Sequence, residues 1–156
     1  MPTKFKGTLE EETTLNAFIC LMRASASVSH RVNEHLREVD MTSPQFAVLE
    51  ALLHLGQLKQ CELARKLLTS PGNLSLLLTS MEQRGLIVRE LHKPDRRSTT
   101  VSLSPAGLAL IEPTFKEHMQ EMLQAFAALS LEEREQLHEL CRRLGKGATA
   151  ANASSR

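Results

Sequence analysis

Tryptophan and tyrosine are absent from this chain of 156 residues, which leaves five phenylalanines as its only aromatic side chains besides histidine. Cysteine is scarce. Cys20, Cys61 and Cys141 are far apart and form no CxxC, so neither a disulfide framework nor a zinc-type cysteine cluster is expected. No apolar run approaches the roughly 20 residues that a membrane helix needs, so no membrane partner is expected. The N-terminus meets Glu10-Glu11-Glu12 where a secretory leader would turn apolar, which points to a cytoplasmic protein. His30, His35, His54, His92, His118 and His138 have no metal-ligand spacing with cysteine or carboxylate. Also missing are a glycine-rich phosphate loop, a nucleophile elbow, paired carboxylates and a Cys–His pair. The expectation is a protein without enzymatic activity, metal or cofactor.

What is present is ordinary in amount and uneven in placement. Hydrophobic residues make up 42% and charged residues 24%, the composition of a single globular domain. The net charge is only +1. Yet residues 57–103 hold eight cations against four anions, while the segments on either side are both net acidic. A basic middle between acidic ends is expected if only the middle meets phosphate.

That middle has a readable order. A short helical pattern, Cys61 to Leu68, stops at Thr69-Ser70-Pro71-Gly72. A second helix is predicted from about Asn73 to Arg84, with Ser70 as N-cap and Pro71 where a missing N–H is tolerated. Leu74, Leu77, Leu78 and Met81 recur at i, i+3, i+4 and i+7 and form its buried stripe. Gly85 suits the position just past the helix end. Ile87 to Leu91 and Thr99 to Leu103 alternate as half-buried strands. The polar tip between them, His92 to Ser98, includes Lys93, Asp95, Arg96 and Arg97. Helix, turn, helix and basic hairpin make a winged helix-turn-helix. One helix can enter a major groove while the hairpin reaches an adjacent groove or phosphates.

The flanks read as helices. Leu9, Leu15, Phe18, Ile19, Met22, Ala26, Val32 and Leu36 give a long first pattern. Ser43 is the expected N-cap of the next, or else its neighbour Thr42, and its predicted buried face is Phe46, Leu49, Leu52 and Leu53. Ser104-Pro105 opens another, with Leu108, Ile111, Phe115, Met119, Met122, Leu123 and Phe126 at helical spacing and a kink expected at Pro113. Ser130 and Glu133 form a capping box before Leu137, Leu140, Cys141 and Leu144. Gly145-Lys146-Gly147 is expected to end that helix and leave a disordered tail.

The run from Gln60 to Glu112 resembles the MarR family of bacterial transcriptional regulators. The matching pieces are the ELA helix, LTSMEQRGLIVR, the DRR wing and the LSPAG that follows it; upstream, TSPQFAVL matches as well. The likeness covers roughly residues 15 to 145. It implies a mainly α fold with a small β-wing, flanked by dimerisation helices. Residues 1–40 would be the N-terminal dimerisation helix and 41–104 the DNA-binding lobe. Residues 105–146 would be the C-terminal dimerisation helices and 147–156 the tail. It also implies a short strand at Leu58 to Gln60 beside the wing, and a homodimer on a pseudo-palindromic operator.

On this likeness Gly72, Asn73, Ser75, Leu76 and Thr79 face the major groove, and Ser70 beside them also contacts DNA. Asn73 can present a bidentate amide to adenine and Leu76 an apolar contact to a thymine methyl. Ser43, Arg65 and Lys66 hold phosphates. In the wing, Asp95 braces Arg97 for the minor groove, with Lys93 and Arg96 beside it. Many members carry arginine where this chain has Leu76, which moves the burden of readout to Asn73, DNA shape and the wing.

The segment Ser70-Pro71-Gly72-Asn73 looks most like the branch that responds to phenols and quinones. A small aromatic or phenolic effector that releases a repressor is the implied regulation, in a pocket lined by Met22, Arg23, Ser27, Phe46 and His54. The plain reading of the three cysteines is burial. Thiol sensing through Cys20 or Cys61 is an alternative, although peroxide-sensing relatives use tyrosine partners that this chain lacks. A winged-helix protein-interaction module is the other alternative, disfavoured by Arg96-Arg97.

Overall fold

The computed structural model describes residues 4–91 and 99–154, with side chains described through residue 148. Helix α1 spans Leu9–Val32, α2 Ser43–Leu55, α3 Gln60–Lys66, α4 Pro71–Gln83, α5 Pro105–Ala125 and α6 Leu131–Ser154. Strands β1 (Leu58–Lys59), β2 (Ile87–Leu91) and β3 (Thr99–Leu103) form an antiparallel sheet in the order β1-β3-β2. Leu58 pairs with Val101, and Ile87 with Leu103. The small wing and its third strand are therefore as expected.

Every α-helix except α3 begins where the sequence supplies a capping side chain. Thr42 caps α2: its Oγ1 accepts from Gln45 N–H, and its own N–H donates to Gln45 Oε1 at 2.9 Å. Ser43 is then the first helical residue. Ser70 Oγ accepts from Asn73 N–H at 3.2 Å, so α4 starts at Pro71, two residues earlier than the apolar pattern alone suggested. At its far end Gly85 adopts φ +70, its N–H donates to Glu82 O, and Leu86 N–H donates to Met81 O. This is the left-handed closure that favours glycine. Ser130 and Glu133 form the expected reciprocal cap of α6.

Several boundaries differ from the sequence reading. The first helix ends at Val32, and Leu36 lies on a separate 3-10 turn, His35–Arg37. Helix α3 ends at Lys66, closed by Leu68 at φ +50, a backbone that costs a leucine roughly 1–2 kcal/mol. Helix α5 continues through Pro113 as one helix; only the Ala109 carbonyl forfeits an intrahelical donor there. Helix α6 passes Gly145 and Gly147 and reaches Ser154. Each glycine costs about 1 kcal/mol, but the sequence that follows is rich in alanine, the best helix former.

One core joins α2, α3, α4, α5 and the sheet, with Leu49, Leu63, Leu74, Leu78, Met81, Val101 and Ile111 fully enclosed. The buried residues of α5 are Gly107, Ile111, Thr114 and His118; of the apolar stripe that the spacing picked out, Ile111 is buried and Phe115 packs against the core. Leu108, Met119 and Leu123 of that stripe are exposed, as are Leu9, Phe18, Leu21 and Met22 of α1 and Leu131, Leu140 and Leu144 of α6. No described side chain of α6 is buried. No helix among the described residues is long and apolar enough to cross a membrane.

Candidate nucleic-acid interface

Helix α4 is held on one side and open on the other. Leu74, Leu78 and Met81 lock it into the core, while Ser70, Gly72 and Asn73 lie exposed at its N-terminus and Leu76 is 75% exposed. A Cβ at Gly72 would meet nothing within 4 Å, so its smallness serves no internal packing. Ser75 and Thr79 are half-buried, and the Thr79 hydroxyl donates to Ser75 O at 2.9 Å. The exposed edge of α4 thus offers an amide, a leucine and a helix N-terminus, the groups that read base edges and hold anions.

Cations surround this edge. Arg65 and Lys66 are exposed on α3 and, with Leu58 and Glu62, line a surface hollow of about 420 Å³. Ser43 is exposed at the N-terminus of α2. Two other arginines, which the sequence reading did not assign to DNA, have internal work. Arg89 of β2 grips Glu82 of α4, its Nε donating at 2.9 Å and its Nη2 to the same oxygen, and this holds the Glu82 carboxyl below its ordinary range. Arg84 reaches Asp40 at 3.4 Å and Gln45 Oε1 at 3.4 Å. The wing strand and the N-terminus of α2 are thereby both tied to the C-terminal end of α4. Lys93, Asp95, Arg96 and Arg97 lie outside the described residues.

The corner where α4 meets α5 is equally fixed. Ser104 N–H donates to Leu86 O at 3.1 Å, and Ser104 Oγ donates to Gly85 O while accepting from Gly107 N–H at 2.9 Å. The LSPAG sequence is this joint. The sequence reading missed Glu82 and Arg89, whose partnership depends on a packing angle and has no sequence spacing to reveal it.

The five residues assigned to an effector pocket sit on α1 and α2. Phe46 is buried with its ring 4.1 Å from that of His118, while Met22, Arg23 and Ser27 are exposed on α1. His54 packs edge-on against Phe115 at 4.6 Å and borders a hollow of about 340 Å³ with Glu50 and Lys66. Burial raises the Glu50 carboxyl above its usual range, opposed by His54. All three cysteines are exposed in the chain, against the expectation of burial. No group of three or more metal-ligating side chains occurs among the described residues.

A helix-turn-helix with its reading helix exposed and a hairpin bound to that helix is the architecture of a winged-helix DNA-binding protein. The MarR family pattern matches residues 41–99. A transcriptional regulator of Bacillus subtilis strain 168, MhqR, is 31% identical over 137 residues, 88% of this chain and 94% of that protein. The chain belongs to the MarR family: it is a DNA-binding transcriptional regulator and not an enzyme. Among solved structures, a mutant MarR from E. coli complexed with operator DNA has the same fold. Its TM-score is 0.75 at 22% identity, covering 89% of this chain and 99% of that one. BpsR of Bordetella bronchiseptica, whose DNA binding is regulated by 6-hydroxynicotinic acid, matches with a TM-score of 0.76 at 23% identity. That match covers 83% of this chain and 98% of the other.

Proposed function

We propose that the protein is a cytoplasmic homodimeric repressor that reads a pseudo-palindromic operator with α4 and is released by a small aromatic ligand. Gly72, Asn73, Ser75, Leu76 and Thr79 face the major groove. Ser43, Arg65, Lys66 and Ser70 hold phosphates, and Lys93, Asp95, Arg96 and Arg97 reach the minor groove. The observation that carries this reading is the two-sidedness of α4: its leucine stripe is fixed while Asn73 and Leu76 are left to solvent.

Dimerisation through residues 1–40 and 105–146 is supported by the exposed apolar side chains on α1, α5 and α6, which a lone chain leaves in water. Two lobes about one DNA turn apart match a two-fold operator. A small aromatic ligand is supported by the BpsR likeness; its pocket would be completed by the second chain and lined by Met22, Arg23, Ser27, Phe46 and His54. Release requires that the ligand bind the DNA-incompetent arrangement more tightly. The exposure of Cys20 and Cys61 favours a second reading, in which oxidation of a thiol causes the release.

Sedimentation of the full chain with and without DNA from its own upstream region tests the assembly. Two chains per site, with affinity falling steeply as salt rises, is the expected result. A monomer that binds DNA with no salt dependence would overturn it. Titration of 6-hydroxynicotinate and of peroxide against the complex separates the two release mechanisms.

A further inference from the structure

The join between the helical arm and the DNA-binding lobe contains a pair of histidines, one buried and one half-buried, that the DNA interface does not use. His118 on α5 is 7% exposed. Its ring lies against Phe46 of α2 at 4.1 Å and against His35, on the turn after α1, at 5.1 Å. Its Nδ1 and both ring nitrogens of His35 are shielded from solvent and have no hydrogen-bond partner among the described residues. Neutral imidazoles tolerate such a place at a modest cost; an imidazolium, with two N–H donors and a charge, does not.

No carboxylate is among the groups that act on His118. On α1, Arg31 is taken by Glu121 of α5 at 3.6 Å and by Gln124 at 2.7 Å. On α2, Glu50 answers to His54. What acts on His118 is burial first, then the charge of His35, both holding it below the ordinary imidazole range, with only the Val32 backbone opposing. No metal-binding group of three forms around the pair.

We propose that His35 and His118 form a proton-sensitive latch whose protonation loosens the seat of α5 on α2 and the end of α1, and so weakens operator binding in acid. The latch sits between two parts that must keep a fixed relation. The same helix α5 carries, at its N-terminus, the Ser104 and Gly107 joint to α4, while Phe46 lies next to Gln45, which holds Arg84 at the end of α4. Its effect on a two-lobed operator rests on the dimer reading above; its effect on the fold does not.

The sign follows from the depressed value of His118. The seat is fully stable above the ordinary imidazole value of about 6.5, and weakens as pH falls through it. If only the opened form takes the proton, the opening constant rises about tenfold for one histidine between pH 7.5 and 5.5.

The test compares the full chain with His118→Phe and His118→Leu, which keep an apolar filler beside Phe46 and cannot titrate. Urea unfolding constants and operator Kd are measured at pH 7.5 and 5.5. On acidification the wild type is expected to lose about tenfold more than either variant in the unfolding constant, and its operator Kd is expected to rise more than that of either variant. Equal losses in wild type and variants overturn the latch. If the unfolding arm shows the difference and wild type binds no operator at pH 7.5, the DNA reading fails and the latch stands. NMR of the wild type gives a check that needs no variant. The Phe46 ring signals are expected to shift with the His118 titration; a His118 that titrates at the ordinary value while Phe46 stays still overturns the proposal.

Discussion

Gly107→Ala turns the joint between α4 and α5 into a measurable quantity. A Cβ at this position would lie 1.9 Å from the Leu86 carbonyl oxygen and 2.9 Å from its carbonyl carbon. Ordinary carbon contacts fall at about 3.5–4.0 Å, so the two segments must part by roughly 1.5 Å. Neither side yields easily. Leu86 follows the left-handed closure at Gly85, and its carbonyl accepts from Ser104 N–H at 3.1 Å. Parting them strains or breaks that bond and the Ser104 Oγ bond to Gly85 O, each with a net contribution of about 1 kcal/mol. Overpacking adds about 1–3 kcal/mol. Alanine returns at most about 1 kcal/mol of helix propensity. The net expectation is a loss of about 3 kcal/mol, against a gain if helix propensity decided the outcome. Urea unfolding followed by circular dichroism at fixed protomer concentration reads the difference directly. A variant within about 0.5 kcal/mol of wild type would show that the α5 N-terminus is not seated as described.

Three further outcomes follow from the same geometry. Ser70→Ala removes the cap on Asn73 N–H and should cost about 1 kcal/mol in urea unfolding. Leu78→Ala, at a fully enclosed position, should cost about 3 kcal/mol in the same assay. Glu82→Gln weakens the grip of Arg89; because the pair is partly solvated, a double-mutant cycle with Arg89→Gln should return only about 0.5 kcal/mol. The Glu82 carboxyl is depressed in the fold. Its contribution is therefore present above its unfolded value of about 4.3 and lost as pH falls further; the variant should show a flatter acid limb.

Much of this molecule could be read in its residues because local chemistry and global packing agree. Ser70-Pro71, the Leu74–Met81 stripe and Gly85 define α4 at both ends, and the alternation at 87–91 and 99–103 marks both wing strands at their observed limits. The failures have a common cause. Apolar spacing on α1, α5 and α6 says that a face will be covered but not by what: on α5 it picks out Ile111, which is enclosed, together with Leu108, Met119 and Leu123, which are exposed, and it passes over the buried Thr114 and His118. Polar residues that pair across elements, such as Arg89 with Glu82, leave no periodic trace. Glycine at 145 and 147 looked like a stop because the helix-forming strength of the alanines beyond was not weighed against it. On the candidate interface, Asn73 and Leu76, which the family likeness picked out, lie in the open.

The central claim is that the open edge of α4 reads bases while the neighbouring cations only hold the backbone. Fluorescence anisotropy with operator and with random-sequence duplex, at matched salt, separates the two roles. Asn73→Ala is predicted to weaken operator binding by about 1–3 kcal/mol, roughly 5- to 150-fold, and to leave random-sequence binding unchanged. Lys66→Ala should weaken both alike and lower the salt slope by about 1. If Asn73→Ala leaves the ratio of the two affinities at its wild-type value, α4 is not the element that reads the operator.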